Sequence, residues 1–301
     1  MTQYFFALVN PEVEHLFKYE MKFKYPDFKL AYSRAGFFTF KADSVKNFNP
    51  LMARLAGRCL GKVPLENLKS PFWAWSRDSR NFPLEEELLS ISTSTWYKMG
   101  ETVRLVMKTG VNEYWLGEYE LLDHHLQTPG EETFLSNIDC PSRAYFKIAE
   151  ATEAFCLPFA EGVRVLELGS APGGASQFLL EQGCEVIGVD PAVMDSRILA
   201  HPKFKHMKKP FESLGPQFFR EPVDWIVSDI NLPPTVVVKE VMRLLTFLKP
   251  HGLLLTLKIN QDKHLHNLNK TTHEIEKAGF ETSIKYLPSH RKEVVLRAER
   301  S

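Results

Sequence analysis

The segment from Val163 to Asp190 constrains the fold of this chain more than any other part of the sequence. It reads VRVLELGSAPGGASQFLLEQGCEVIGVD and predicts, in order, a strand over 163–168, a glycine-rich turn, a helix over 174–182 that stops at Gly183, and a strand over 185–190. This succession of strand, tight turn, helix and strand is typical of a parallel sheet with helices on its faces.

The same alternation of strands and helices continues towards the end of the chain. The pattern predicts strands over 223–229 and 252–258 around a helix over 234–248, then a helix over about 264–278 and strands over 280–287 and 293–298. We therefore expect an α/β domain with a mostly parallel, doubly wound sheet, in which the last two strands form an antiparallel edge pair.

The N-terminal half has a different pattern, which predicts an α+β domain. An apolar run from Tyr4 to Val9 indicates a strand, and Asn10-Pro11-Glu12 supplies a cap, a first-turn proline and an acidic first turn for a helix to about Lys24. Further strands are predicted over 29–32, 36–42, 103–108 and 114–121, and a further helix over 84–97.

A linker is predicted between the two halves. Residues 124–142 are polar, contain Pro129-Gly130 and show no periodicity. A length of 301 residues also favours two domains over one. We expect an N-terminal domain over 1–123, a linker over 124–140 and a C-terminal domain over 141–301.

Charge, cysteine content and hydropathy exclude several classes of protein. The four cysteines form no CxxC pair and have no histidine at ligand spacing, which argues against a disulfide framework and a zinc site. No run approaches the roughly 18 apolar residues of a membrane span, and the N-terminus lacks the basic lead and cleavage site of a signal peptide. We expect a cytoplasmic protein that binds no metal.

Positive charge is concentrated locally although the formal net charge of the chain is zero. From Met21 to Arg77 there are 11 Lys/Arg against 3 Asp/Glu, interleaved with 11 aromatic residues. Basic and aromatic side chains together can bind phosphates and stack unpaired bases. Most of the aromatic side chains are nevertheless expected in the core, which leaves the basic residues as the RNA candidates.

A nucleoside-bearing cofactor is predicted at the glycine-rich turn. In doubly wound folds, ligands bind at the carboxyl ends of the strands, and Gly169 follows such an end directly. Asp190 ends the next strand, where a carboxylate commonly binds ribose hydroxyls. A dinucleotide fold is the rival interpretation, but GSAPGG lacks the GxGxxG spacing. A tight turn without a ligand is the other alternative.

Five sequence motifs resemble those of the FtsJ-type RNA ribose 2'-O-methyltransferases. They are Glu167-Leu-Gly-Ser-Ala-Pro-Gly-Gly-Ala-Ser-Gln177, Pro141-Ser-Arg-Ala-Tyr-Phe-Lys147, Ser228-Asp229, Leu257-Lys258 and Ser289-His-Arg-Lys-Glu293. The resemblance implies a Rossmann-like methyltransferase domain with a mostly parallel seven-stranded sheet, and S-adenosyl-L-methionine as cofactor. The resemblance, the strand-end position of Asp190 and the segment around Glu212 together predict cofactor binding by Gly169, Ser170, Ala171, Pro172, Gly173, Gly174, Ser176, Asp190, Glu212 and Asp229.

The same resemblance implies a catalytic tetrad of Lys147, Asp229, Lys258 and Glu293. Methyl transfer to a hydroxyl is an in-line displacement that needs a base to strengthen a weak nucleophile. In the family's arrangement Lys258 faces the 2'-hydroxyl, the two carboxylates orient its amine, and Lys147 supplies positive charge beside the developing oxyanion. Taken singly, each of these residues is more typical of solvated surface.

One segment departs from the family pattern. Many relatives place an acidic residue before a phenylalanine to bind the adenine amino group, whereas this chain has Lys208-Lys209-Pro210-Phe211-Glu212. We therefore expect backbone groups or Glu212 to contact the adenine.

The N-terminal half resembles the start of THUMP-containing RNA-modifying enzymes. The resemblance rests on Phe6-Ala-Leu-Val-Asn-Pro-Glu-Val-Glu-His-Leu16 and Gly36-Phe-Phe-Thr-Phe-Lys41. Joined to an FtsJ-type domain, this layout is similar to that of the bacterial 23S rRNA cytidine 2'-O-methyltransferases, which implies ribosomal RNA as partner. Two alternatives stay open: a small-molecule or protein methyltransferase on the same fold, and a non-catalytic RNA-binding protein.

Overall fold

The computed structural model describes residues 2–43, 48–69, 71–77, 81–92, 98, 100–121 and 138–300. Contacts divide the chain into two compact units, residues 1–133 and 134–301. The predicted linker over 124–140 lies outside the described residues except for its last three positions. The domain boundaries therefore stay predictions.

The N-terminal unit is an α+β structure, as predicted. Its elements are β1 Gln3–Leu8, α1 Glu14–Lys24, β2 Lys29–Arg34, β3 Phe37–Ala42, β4 Leu55–Lys62, β5 Trp73–Ser76, α2 Glu86–Ile91, β6 Thr102–Gly110 and β7 Glu113–Glu120. One seven-stranded sheet has the order β2-β3-β1-β4-β7-β6-β5. Only β5 and β6 pair in parallel among these described strands. The THUMP resemblance stays a prediction.

The predicted start of α1 is confirmed, whereas the predicted extent of α2 is wrong. The Asn10 side chain accepts a hydrogen bond from the Glu12 backbone N–H at 3.0 Å, and a 3-10 turn over Pro11–Val13 leads into α1. The second helix ends at Ile91, because Ser92 already has an extended backbone. Residues 93–97, the rest of the predicted helix, lie outside the described residues.

Two strands of this unit, β4 and β5, were not predicted from the sequence. Gly57 and Gly61 lower the strand propensity of β4, and its pairing with β7 shifts register between Cys59 and Gly61. β5 is only four residues long. The core-packing expectation is confirmed for six of the eleven aromatic residues between Met21 and Arg77. The buried ones are Phe37, Phe38, Phe40, Phe48, Phe72 and Trp73.

The C-terminal unit is the predicted α/β domain. Its elements are α3 Ala144–Phe155, β8 Arg164–Leu168, α4 Gly174–Glu181, β9 Glu185–Val189, α5 Ser196–Leu199, β10 Phe204–Met207, β11 Trp225–Ser228, α6 Pro234–Leu244, β12 Gly252–Lys258, α7 Asp262–His266, α8 Leu268–Lys277, β13 Glu281–Lys285 and β14 Glu293–Glu299. The strand order is β10-β9-β8-β11-β12-β14-β13. The first five strands in this order pair in parallel. This confirms the mostly parallel seven-stranded sheet.

One detail of this sheet differs from the sequence expectation, and another agrees with it. β10 was missed, because four residues are too short for a recognisable alternation. The predicted antiparallel edge pair of β13 and β14 is confirmed, and within this pair β14 is inserted next to β12. This insertion matters because it places the start of β14 directly beside the end of β12.

Parallel pairing brings the ends of neighbouring strands together. The carboxyl ends of β8, β9, β11 and β12 lie at one edge of the sheet, where doubly wound folds bind ligands. The apolar core beneath this edge is closed by α3 and α4, through buried side chains that include Ile148 and Leu179. The sheet therefore supports the predicted site from below with a packed interior.

Candidate active site

Four elements carry the four residues of the predicted tetrad. Lys147 lies in the first turn of α3, and Asp229 follows the last residue of β11. Lys258 ends β12 and Glu293 begins β14, and these two residues are direct partners in the antiparallel ladder. Register alone therefore places a lysine opposite a glutamate at the carboxyl edge of the sheet.

The structure brings these four side chains into one closed cluster, here named the ion quartet. Lys147 Nζ lies 3.0 Å from Asp229 Oδ2 and 2.6 Å from Glu293 Oε1. Lys258 Nζ lies 2.7 Å from Asp229 Oδ1 and also pairs with Glu293 Oε2. Each ammonium group thus contacts both carboxylates, and each carboxylate contacts both ammonium groups.

The side chains of the quartet are largely buried, and the charges of their neighbours shift the pKa values of Lys258 and Glu293. The four side chains are 9–18% exposed. Burial disfavours the charged form of Lys258, but the carboxylates of Asp229 and Glu293 outweigh it and raise the pKa of this lysine. Burial likewise disfavours charge on Glu293, and the two lysines outweigh it and lower its pKa. At neutral pH the free protein therefore holds Lys258 as an ammonium group.

The glycine-rich turn has a backbone that only glycine adopts readily. Gly169 and Gly173 have φ angles of +79° and +121°. A Cβ atom at Gly169 would lie 2.8 Å from Ile230 Cγ1, and one at Gly173 would lie 2.8 Å from Ile198 Cγ1. Packing within the protein therefore accounts for both glycines, and their contact with a cofactor stays a prediction.

Asp190 fastens the turn to the end of β9. Its Oδ2 accepts a hydrogen bond from the Ala171 backbone N–H at 3.2 Å, and its Oδ1 accepts one from Ala192 at 2.7 Å. A carboxylate has about four acceptor positions, so both oxygens can accept further donors. The half-buried side chain thus fits ribose hydroxyl groups by its chemistry.

Three other residues predicted to bind the cofactor have different surroundings. Ser176 is buried and donates its hydroxyl to Glu167 Oε2 at 2.5 Å. Ser170 is also buried, and its hydroxyl lies 3.5 Å from the sulfur of Met194. Glu212 is exposed in a 3-10 turn over Phe211–Ser213. In this structure the two serines face the interior.

No role was predicted for Glu167 from the sequence, where it appears only as the first residue of a family motif. It lies on β8 and is buried. Burial, reinforced by the charges of Asp229 and Asp190, raises its pKa to about 8. Because a carboxyl group with this pKa is mostly neutral at pH 7, Glu167 adds little negative charge beneath the quartet.

A second feature missed in the sequence fastens α3 to the loop before β14. Glu150 is fully buried, one turn after Lys147, and accepts hydrogen bonds from the Ser289 backbone N–H at 2.8 Å and from the Ser289 hydroxyl. Arg143 donates to the Ser289 carbonyl at 3.2 Å. The sequence did contain a signal for this contact, because Glu150 lies three residues after Lys147 and therefore on the same face of α3.

Two other features, a metal-binding cluster and a membrane-spanning helix, are absent from the described ranges. No group of three or more His, Cys, Asp or Glu residues there could hold a metal ion. No helix in the same part of the chain is long and apolar enough to cross a membrane.

Comparison with known proteins identifies relatives of this chain. A protein named ribosomal RNA large subunit methyltransferase M from Laribacter hongkongensis is 30% identical over 154 residues, which cover 49% of this chain and 43% of that protein. Its namesake from Azoarcus sp. is 26% identical over 224 residues, which cover 70% of this chain and 60% of that protein. The chain thus matches less than two thirds of the length of either relative.

Comparison with solved structures finds a similar chain in fibrillarin from Aeropyrum pernix, a crystal structure with bound S-adenosyl-L-methionine. The match has a TM-score of 0.41 and 18% identity, and covers 64% of this chain and 81% of that one.

The family comparison covers the glycine-rich turn and three of the four residues of the ion quartet. It matches residues 140–286 to the FtsJ-like methyltransferases. The match begins just before α3 and includes Lys147, Asp229 and Lys258. Over residues 140–286 this chain is therefore similar to the FtsJ-like methyltransferases.

Proposed function

We propose that this protein transfers a methyl group from S-adenosyl-L-methionine to a ribose 2'-hydroxyl of RNA, with 23S ribosomal RNA as the substrate class. The observation that carries the proposal is the ion quartet, in which two lysines and two carboxylates meet at the carboxyl edge of a doubly wound sheet. A single charged residue at this edge would be unremarkable, but four in mutual contact form a site for proton transfer.

The turn at the ends of β8 and β9 is the proposed cofactor site. Asp190 would hold the ribose hydroxyls, since its carboxylate oxygens keep acceptor capacity. Backbone groups of Gly169 and Ala171 border the same strand ends. The bound cofactor supplies an electrophilic methyl group, and every other requirement falls on the side chains of this chain.

The quartet residues have distinct proposed roles. Lys258 accepts the proton of the 2'-hydroxyl through its amine, once that amine is neutral. Asp229 and Glu293 orient the Lys258 amine, since they hold its nitrogen from two sides. Lys147 offsets the negative charge that develops on the attacking oxygen. The raised pKa of Lys258 implies that this neutral form is scarce in the free protein.

The choice of RNA as acceptor is supported by the relatives. Two proteins named ribosomal RNA large subunit methyltransferase M match 49% and 70% of this chain. Ribosomal RNA is made and processed in the cytoplasm of bacteria such as these, so the protein is proposed to act there. A small-molecule or protein methyltransferase on the same fold would not require both Lys147 and Glu293.

The proposed function is tested by following labelled methyl groups from S-adenosyl-L-methionine into ribosomal RNA from cells that lack this protein. Wild type should label the RNA, and Lys258→Ala should lower the rate by about 10²- to 10⁴-fold, because it removes the base. Lys258→Arg should fail similarly, since a guanidinium keeps the positive charge but does not lose its proton.

The matched control is Lys239→Ala, which removes one exposed lysine from α6 and should leave the rate unchanged. Thermal unfolding of each variant separates loss of the base from loss of the fold. Wild-type activity in Lys258→Arg would contradict the role of Lys258 as base.

A further inference from the structure

A groove runs along β10, the edge strand at the end of the C-terminal sheet opposite β13. It lies between β10 and the segment 217–222, has a volume of about 970 Å³, and is here named the β10 groove. β10 pairs with β9 alone among the described strands. This volume lies at the upper end of the range for small-ligand pockets, so the groove has room for a segment of a polymer.

The groove is positively charged within a chain of zero net charge. Its lining holds six lysines and arginines but only two glutamates. Both glutamates pair with Arg164. Lys205, Lys208 and Arg220 are exposed and form no ion pair within the described part of the chain. Three uncompensated cations therefore line a single concave surface, which favours a polyanion.

Aromatic rings lie among these cations. Phe218 and Phe219 are half-buried in the lining, and Lys209 Nζ lies 3.6 Å from the centre of the Phe218 ring. Half-buried rings beside free cations can stack unpaired bases while the cations bind phosphates. Bases in a duplex are already stacked and paired, so the combination favours a single strand.

The groove is close enough to the quartet to serve the same RNA molecule. β10 is separated from β11 by β9 and β8, so their axes lie three strand spacings, or about 14 Å, apart. Lys208 follows the carboxyl end of β10, and Asp229 follows the carboxyl end of β11. Because these strands are parallel, both residues lie at the same edge of the sheet.

We propose that the β10 groove binds a single-stranded segment of the substrate RNA, with Lys205, Lys208 and Arg220 on its phosphates. The proposal rests on RNA methylation as the function of the quartet and adds a separate contact for the same substrate. The groove residues position the RNA and take no part in proton transfer.

The test removes the three free cations together, as Lys205→Ala/Lys208→Ala/Arg220→Ala in the full chain. Neutralising a phosphate of a single strand changes the slope of log binding constant against log salt by about 0.7, so the variant should lose about 2 from this slope. We expect KM for ribosomal RNA to rise about tenfold at moderate salt, with kcat unchanged.

A matched control removes the same charge elsewhere. Lys239, Lys270 and Lys277 are exposed on α6 and α8, outside the groove. The control variant Lys239→Ala/Lys270→Ala/Lys277→Ala should keep the wild-type KM. Equal KM values for the groove variant and this control would overturn the proposal.

A direct binding measurement separates this proposal from the proposed function. Fluorescence anisotropy with a labelled single-stranded RNA of about twelve nucleotides needs no methyl transfer, so it tests the groove even if ribosomal RNA is not methylated. The groove variant should bind this probe about tenfold more weakly than the control. An equal loss with a duplex of the same length would overturn the single-strand assignment, and no loss with either probe would overturn the groove as an RNA site.

Discussion

At the scale of single residues, protonation is the property that separates otherwise similar side chains. Glu293 and Glu167 are both buried glutamates of the same sheet, yet their pKa values move in opposite directions. Two lysines hold Glu293 ionised, whereas burial without a cationic partner raises the pKa of Glu167 to about 8. Neighbouring charges, more than burial alone, decide which carboxylate can orient an amine.

The raised pKa of Glu167 predicts a pH-dependent cost to folding. The carboxyl group is neutral in the folded chain below about pH 8, but in the unfolded chain it ionises above its ordinary pKa of 4.5. The unfolded state therefore binds fewer protons between these values, and Glu167 lowers the free energy of unfolding by up to about 1.4 kcal/mol per pH unit as pH rises.

Glu167→Gln should remove this contribution, because an amide does not ionise and can still accept the Ser176 hydroxyl. Denaturant unfolding from pH 5 to pH 9 should show the variant gaining stability relative to wild type up to about pH 8 and then levelling off. A constant difference across this range would show that Glu167 is ionised in the folded protein.

At the scale of secondary structure elements, α3 and β14 need each other to form the site. Lys147 and Glu150 share one face of α3; the first contacts Glu293, and the second accepts hydrogen bonds from Ser289. The loop before β14 is thus fixed at two points along a single helix. Glu150 is a positioning residue, since it acts on Glu293 through the backbone of this loop.

Loss of the Glu150 carboxylate should weaken the attachment of this loop. Glu150→Ala leaves two buried donors of Ser289 without an acceptor, which should cost about 1–3 kcal/mol for each donor. Glu150→Gln keeps one acceptor oxygen and should cost less. Denaturant unfolding and methylation rates, measured on both variants, check this order; equal stability of Glu150→Ala and wild type would contradict it.

The elements around the glycine-rich turn could be predicted from the sequence, because the patterns that indicate them are local. β8, α4 and β9 follow from alternation and from glycines within about 30 residues. The pairing of Lys258 with Glu293 could not be derived in this way, since it depends on the insertion of β14 beside β12. Family motifs supplied the residues of the quartet, and only the fold supplied their contacts.

Strands β4 and β10 and the β10 groove were not predicted from the sequence, because no local pattern indicates them. β10 is too short to show periodicity, and glycines weaken the pattern of β4. The β10 groove joins β10 to residues 217–222, so no local motif marks it. In the sequence, the lysines and arginines of the groove look like ordinary surface residues. They form a binding surface only because the fold places them side by side along β10.

At the scale of the whole molecule, the C-terminal unit has two proposed tasks: proton transfer at the quartet and RNA binding along β10. The basic stretch from Met21 to Arg77 in the N-terminal unit stays a further predicted RNA contact. Because the full chain has a formal net charge of zero, RNA must be attracted by local surfaces, and binding should weaken steeply with salt.

Transfer of the methyl group to a ribose 2'-hydroxyl is tested most directly by the position of the label in the RNA. Alkali cleaves RNA through the free 2'-hydroxyl, so a methylated ribose protects the adjoining phosphodiester bond. After methylation by the wild-type protein and complete alkaline hydrolysis, we expect the label in alkali-resistant dinucleotides. Label recovered in mononucleotides would place the methyl group on a base and contradict ribose methylation.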